Sequence, residues 1–118
     1  MSLPIFCHSD QFGTLGQIDP SHLAEIAKQG YKSVINNRPD YEGGLDQPTN
    51  AQIQEQAEAL GLTYAFLPVI PGEFTQDQVK EMAILLKTMP SPILAFCRSG
   101  ARSTNLYQRA LRVSQLNQ

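Results

Sequence analysis

Regular punctuation constrains this chain most: from residue 19 onward, stop signals separate short apolar runs whose period switches between helix and strand. Asp19-Pro20 reads as an N-cap with proline at the first helical position, and Gly30 ends that helix after Leu23, Ile26 and Ala27. Residues 31–36 read as a strand, followed by a long polar loop from Asn37 to Gln47 that holds Pro39, Gly43 and Gly44. Thr49 with Gln52 forms a capping box ahead of Ile53, Ala57 and Leu60, and Gly61 is the stop. Residues 62–69 give the next strand. Thr75 with Gln78 repeats the capping pattern before the stripe Val79, Met82, Ala83, Leu86 and Met89, which Pro90 and Pro92 end. Ile93 to Cys97 is a wholly apolar strand of the kind found at a sheet centre, and a helix is expected from Thr104 to about Ser114. Strand and helix alternation predicts an α/β fold: a mainly parallel, four- to five-stranded central sheet with helices on both faces, joined by right-handed crossovers. Residues 4–17 are expected to add an edge strand or hairpin.

At 118 residues the chain suits a single domain, 1–118, with a self-sufficient core. Hydrophobic residues at 42% and charged ones at 17% exclude a disordered or collagen-like chain. No apolar run approaches the roughly 20 residues that cross a bilayer, and no basic segment precedes an apolar one at the N-terminus, so neither membrane nor secretion is expected. Two cysteines, Cys7 and Cys97, are too few for a disulfide scaffold, which makes a cytoplasmic setting the expectation. No cofactor or metal is indicated: Cys7 beside His8 lacks further ligands at usable spacing, and His22 reads as a surface helix residue. Cys7 reads as a packed or exposed thiol, with a resolving-thiol role as the alternative. The net charge of −2 conceals an asymmetry. Residues 1–90 hold all 11 acids and carry −6, whereas residues 91–118 hold Arg98, Arg102, Arg109 and Arg112 with no acid and carry +4. An acidic chain is a poor nucleic-acid ligand, but arginines around one loop mark a local anion site. Arg109 and Arg112 fit a solvated helix face.

The segment Cys97-Arg98-Ser99-Gly100-Ala101-Arg102-Ser103 carries the chemistry. A cysteine at the C-terminal end of a buried strand lies where open α/β sheets place ligands. A small-residue turn into a helix points backbone N–H groups into one concavity, and the helix N-terminus adds partial positive charge. Gly100 lets that turn close, and Arg102 can swing a planar fork of donors over a tetrahedral oxyanion. The same surroundings stabilise a thiolate, to which Ser103 could donate. The loop therefore reads as a nucleophile inside an anion cradle formed by Arg98, Ser99, Gly100, Ala101 and Arg102.

With these residues in view, the chain resembles the dual-specificity, cysteine-dependent phosphatase superfamily. More closely it resembles the small bacterial phosphatase-like domain called beta-lactamase-hydrolase-like. The resemblance rests on Gly16-Gln17-Ile18, on Val34-Ile35-Asn36-Asn37-Arg38-Pro39-Asp40 with Glu42, on Gln47-Pro48, on Leu67-Pro68-Val69 and on the cysteine loop. It implies a cysteine-phosphatase-like fold, Cys97 as nucleophile, Arg102 as oxyanion-binding arginine, and Arg38 and Asp40 at the pocket rim or anchoring its loop. It also implies a small anionic or phosphorylated substrate and association with a metal-dependent hydrolase-type enzyme.

Two departures from the superfamily pattern bear on the chemistry. Four residues rather than five separate Cys97 from Arg102, with Phe96 rather than His before the cysteine. The loop expected to supply an acidic residue reads Ile70-Pro71-Gly72-Glu73-Phe74, so Glu73 is the candidate general acid, set against a solvated loop carboxylate. The loop also looks like that of rhodanese-type sulfurtransferases, where the thiolate carries a persulfide. Three readings stay open: a phosphatase-like hydrolase, a sulfurtransferase, and a catalytically weak anion-binding or interaction module.

Overall fold

Five short runs become strands of four residues each in the computed structural model, which describes residues 3–116. They are β1 (Phe6–Ser9), β2 (Phe12–Leu15), β3 (Ser33–Asn36), β4 (Thr63–Phe66) and β5 (Ile93–Phe96), in the sheet order β1-β2-β5-β3-β4. Only β1 runs antiparallel, paired with β2; the β2–β5, β3–β5 and β3–β4 ladders are all parallel. The expected α/β class, mainly parallel sheet and central position of the Ile93 strand are all found. Residues 4–17 do form a hairpin, but only β1 is an edge. Its second strand, β2, is wholly buried and pairs with β5, because the Phe12–Leu15 run is apolar enough to sit inside the sheet.

Strand alternation assigns the two cores. Ile35 of β3 with Ile93 and Ala95 of β5 packs against α3 (Gln76–Thr88) and α4 (Ala101–Leu116) through Met82, Leu106 and Ala110. Val34 with Leu94 and Phe96 packs against α1 (Leu23–Lys28) and α2 (Asn50–Ala59) through Ile26, Ile53 and Ala57. Helices thus cover both faces. Phe96 is fully buried, so truncation to Ala is expected to cost about 3–5 kcal/mol.

Both capping boxes form as read: Thr49 accepts from Gln52 N–H at 3.2 Å, and Thr75 from Gln78 N–H at 3.1 Å. Gly61, at φ +80, ends the second helix. The first helix begins differently. Pro20–His22 is a single 3-10 turn ahead of α1, and the Asp19 N–H donates to His22 Nδ1 at 3.0 Å. His22 therefore helps to cap the helix start rather than standing on a surface face. The last helix starts at Ala101, three residues before the expected Thr104, because Ser99 Oγ accepts the Ala101 N–H at 3.3 Å and nucleates the first turn. Among the described residues no helix is long and apolar enough to cross a membrane.

Candidate functional site

Cys97 directly follows β5 and is 1% exposed, yet it belongs to neither apolar cluster. It lines a cavity of about 370 Å³ together with Pro71, Phe74, Arg98, Ser99, Ala101 and Arg102. Gly100 N–H donates to Cys97 Sγ at 3.1 Å. That contact needs φ +94 at Gly100, a left-handed conformation, and an added Cβ would lie 3.4 Å from the Leu15 carbonyl carbon. The back of the loop is braced on the end of β2: Cys97 N–H donates to Leu15 O at 3.3 Å, and Gln17 N–H to Arg98 O at 3.1 Å. Gly16 allows this approach, since a Cβ there would meet Arg98 O at 3.0 Å. The Gly16-Gln17 motif is therefore a backrest for the cysteine loop.

Arg102 does not swing freely. It is 8% exposed, and its Nη1 and Nη2 donate to Glu42 Oε2 and Oε1 at 3.0 and 2.9 Å, with Nη1 also donating to Val69 O at 3.0 Å. A guanidinium has five N–H donors. These three contacts leave Nε–H and one Nη2 proton, which share the same edge of the fork. Arg102 Nε is buried without a partner. A buried donor with no acceptor is costly, and Arg102 is also a lining residue of the cysteine cavity. The site is thus suited to a two-pronged contact with an oxyanion.

Glu42, named in the middle motif but given no role there, organises this arrangement. It accepts from Arg38 Nε at 2.9 Å as well as from Arg102, and Arg38 Nη1 reaches Gln17 Oε1 at 3.0 Å. Burial pushes the Glu42 carboxyl up, but hydrogen bonds and charge from Arg102 and Arg38 outweigh it and hold the group below its ordinary range. The loop around it is shaped for this contact. Tyr41 sits at φ 64, an uncommon conformation for a bulky residue, immediately before Glu42. Gln47 ties the loop shut, accepting Gly43 N–H at 2.7 Å and donating to Pro39 O at 2.9 Å. A spacing of four between Arg38 and Glu42, next to a loop needing an arginine partner, was the available sequence signal.

The expected residues divide. Arg98, Ser99, Ala101 and Arg102 line the cysteine cavity, and Gly100 supplies the donor to sulfur. Arg38 lines an adjoining cavity of about 590 Å³ with Glu42, Pro71, Arg98 and Arg102, so it does reach the rim. Asp40 does not. Its carboxylate accepts Asn50 N–H at 2.7 Å and so holds the start of α2. Ser103 is buried, but its hydroxyl donates to Asn37 Oδ1 at 2.8 Å instead of to the sulfur. Asn37 in turn donates to Leu67 O at 2.9 Å, so Ser103 fastens the helix to the ends of β3 and β4. Glu73 is exposed and lines neither cavity, because the turn at Gly72, φ +78, carries it outward while Phe74 takes the wall. Glu42 is then the only carboxylate among the described lining residues of the two cavities, and two arginines hold it ionised.

The N-terminal thiol is separate. Cys7 is exposed, with Sγ 3.9 Å from Tyr31 OH, and sits two strands from β5. Two strand spacings amount to about 9–10 Å, beyond the roughly 7 Å Cα limit for a disulfide, so it cannot resolve Cys97 in this arrangement. His8 Nε2 lies 2.9 Å from Thr14 Oγ1, and Thr104, 3.1 Å from Thr14, donates to Gly100 O at 2.9 Å, which links the hairpin to the cysteine loop. Burial lowers the His8 imidazole. Among the described residues no three His, Cys, Asp or Glu side chains converge as metal ligands.

Comparisons with known proteins agree with this fold. A beta-lactamase hydrolase-like protein of Xylella fastidiosa is 33% identical over 99 residues, covering 84% of this chain but only 23% of its own length. The chain therefore spans under a quarter of that curated relative. The crystal structure of a candidate phosphatase from Neisseria meningitidis superimposes with a TM-score of 0.82 at 30% identity, covering 90% of this chain and 75% of that one. A second candidate phosphatase, from Shewanella putrefaciens, gives 0.77 over 94% of this chain and 69% of its own; at 17% identity it speaks for the fold alone. The family model for the beta-lactamase hydrolase-like protein, phosphatase-like domain, matches residues 6–114. With a cysteine loop braced by the Gly16-Gln17 turn and an arginine set by the Glu42 loop, this chain belongs to that phosphatase-like domain family.

Proposed function

We propose that this phosphatase-like domain hydrolyses phosphate monoesters through a thiolate on Cys97. The observation that carries the reading is the unsatisfied Nε of Arg102, buried beside a cavity into which Cys97 also opens. A phosphoryl group there would take the Nε/Nη2 edge of Arg102 and backbone N–H groups of the 98–102 loop other than those of Gly100 and Ala101, which donate to Cys97 Sγ and Ser99 Oγ. The sulfur attacks phosphorus, the ester oxygen leaves with its electron pair, and a cysteinyl-phosphate forms. Water then attacks that phosphorus, the S–P bond breaks, and inorganic phosphate and thiolate are released. Arginine and N–H donors stabilise the charge spread over the equatorial oxygens in both steps. Among the described residues no carboxyl lines the cysteine cavity, and two arginines hold Glu42 of the adjoining cavity ionised, so esters of acidic alcohols such as aryl phosphates are the favoured substrates.

The same missing acid, with the four-residue loop, favours sulfur transfer as the second reading: Cys97 would take sulfane sulfur from thiosulfate, release sulfite and pass the sulfur to a thiophilic acceptor. Parallel assays with an aryl phosphate and with thiosulfate plus cyanide separate the two. Phosphate release lost in Cys97→Ser supports hydrolysis; thiocyanate formation without phosphate release supports sulfur transfer. Neither product, with phosphate still bound, leaves an anion-binding module. Association with a metal-dependent hydrolase-type enzyme is proposed from the family link alone, since the matched stretch is 23% of the longer relative.

A further inference from the structure

A groove beside the cysteine cavity remains unused. It has a volume of about 470 Å³ and runs between the start of α3 and the later turns of α4. Its walls combine Phe74, Val79 and Val113 with three cations, Lys80, Arg109 and Arg112, and among the described residues no acid lines it. None of the three cations takes part in an ion pair among the described residues. Arg109 and Arg112 are both exposed, as expected of a solvated helix face, and that face also borders this recess. Arg109 is positioned as well as charged: its guanidinium carbon stands 4.7 Å from the centroid of the Phe74 ring.

The groove and the cysteine cavity share a wall, because Phe74 lines both. They also share a helix. Asn105 of α4 lines the cysteine cavity, and Arg109 and Arg112 line the groove further along. At about 1.5 Å per residue, these arginines lie roughly 6 and 10 Å beyond Asn105 along the axis. An anion cradle, an apolar wall and a second cationic cluster therefore follow one another along one helix. A recess of this volume accommodates a small organic body.

We infer that the groove is a second substrate subsite, and that it selects phosphate monoesters whose leaving group joins an apolar or aromatic body to a second anionic group about 10 Å from the phosphate. This rests on the phosphatase reading for the location of the first anion and adds the substrate class. The phosphoryl group occupies the Cys97 cradle, the apolar body lies along Phe74 and Val113, and the distal carboxylate or phosphate meets Arg109, Arg112 and Lys80. Each exposed charge pair is individually weak, but two or three acting on one desolvated group give a measurable preference.

The test compares biphenyl-4-yl phosphate with its 4′-carboxylate derivative, whose leaving groups have similar acidity. In the wild-type protein the carboxylated ester should show a KM about three- to tenfold lower, with a preference that fades in high salt. In Arg109→Gln/Arg112→Gln that ratio should fall to about one, with thermal melting used to show that the fold persists. The same pair is titrated calorimetrically into Cys97→Ser, where no turnover is needed. Tighter binding of the carboxylated probe that disappears with the double substitution supports the subsite, even if neither ester turns over and the hydrolase reading fails. Turnover of both esters with equal KM and equal affinity, or a preference unchanged by the double substitution, overturns the subsite while leaving hydrolysis standing.

Discussion

Replacing Glu42 by Gln tests the central claim that this carboxylate sets the arginine of the site. The side chain holds Arg102 through two contacts and Arg38 through one, with Arg102 8% exposed and Glu42 23% exposed. Removing one partner of a fully buried pair costs about 3–5 kcal/mol because a charge is left uncompensated. Here solvent reaches Glu42, and Gln keeps one acceptor, so about 2 kcal/mol is the expected loss at pH 7. For a domain of this length that corresponds to a fall in Tm of roughly 6–10 °C.

The pH dependence sharpens the test. The Glu42 carboxyl is lowered in the folded protein by Arg102 and Arg38 in spite of its burial. A lowered carboxyl contributes its full stabilisation above its unfolded value and loses it as pH falls through its folded value. The Tm gap between wild type and Glu42→Gln should therefore be widest near neutrality and narrow steadily below the ordinary carboxylate range. Turnover of an aryl phosphate should fall about tenfold to a hundredfold, since a small misplacement of a positioning group has effects of that size. Thermal melts from pH 7 downward provide the measurement. A gap that stays constant with pH, or one below about 2 °C at neutrality, would refute the role given to Glu42.

Arg102→Lys should lower kcat/KM for aryl phosphates by at least about a hundredfold, because an ammonium cannot contact Glu42 and an oxyanion on two edges at once; retention of half the activity would contradict the site. Rates across a series of aryl and alkyl phosphates should drop steeply as the leaving alcohol becomes less acidic, and Glu73→Gln should leave that slope unchanged. A flattened slope in wild type that steepens in the variant would restore Glu73 as the acid. Gly43→Ala should destabilise by about 1–2 kcal/mol, since its Cβ would lie 2.6 Å from Arg38 Nη2, which Glu42 and Gln17 hold in place through the neighbouring nitrogens. Denaturant melts would show it.

Sequence alone located what depends on nearest neighbours along the chain. The capping pairs Thr49–Gln52 and Thr75–Gln78 each lie within one helical turn, and both form. The apolar run Ile93–Phe96 must be buried on two faces, which places it centrally in the sheet. Residues joined only by the fold escaped. Glu42 and Arg102 are 60 residues apart, and Ser103 and Asn37 are 66 apart. Along the chain the neighbour of Ser103 is Cys97, but its partner in the fold is the Asn37 amide across the sheet end. Glu73 was read from its place after β4, but one glycine turn decides which way residues 73 and 74 face. In each miss, local spacing proposed a partner and tertiary packing supplied another.

The charge asymmetry of the chain acquires a meaning in the fold. The acidic stretch before residue 91 sends one carboxylate, Glu42, to Arg102 of the basic C-terminal stretch. That one charge is shared between Arg38 and Arg102, and Arg98 lines both cavities without an acidic partner among the described residues. The site therefore stays positive although the chain carries −2. Charges beyond about 8 Å are largely screened at physiological salt, so an arriving anion responds to these arginines and not to the net charge. On the proposed hydrolase reading, the carboxylate would also limit how tightly an anion is held. Arg102 without Glu42 would meet phosphate with an uncompensated buried charge, and product would leave slowly. With Glu42 in place, only the Nε/Nη2 edge of the fork is left open, which fits the proposed hydrolysis, where the phosphate must be released after turnover.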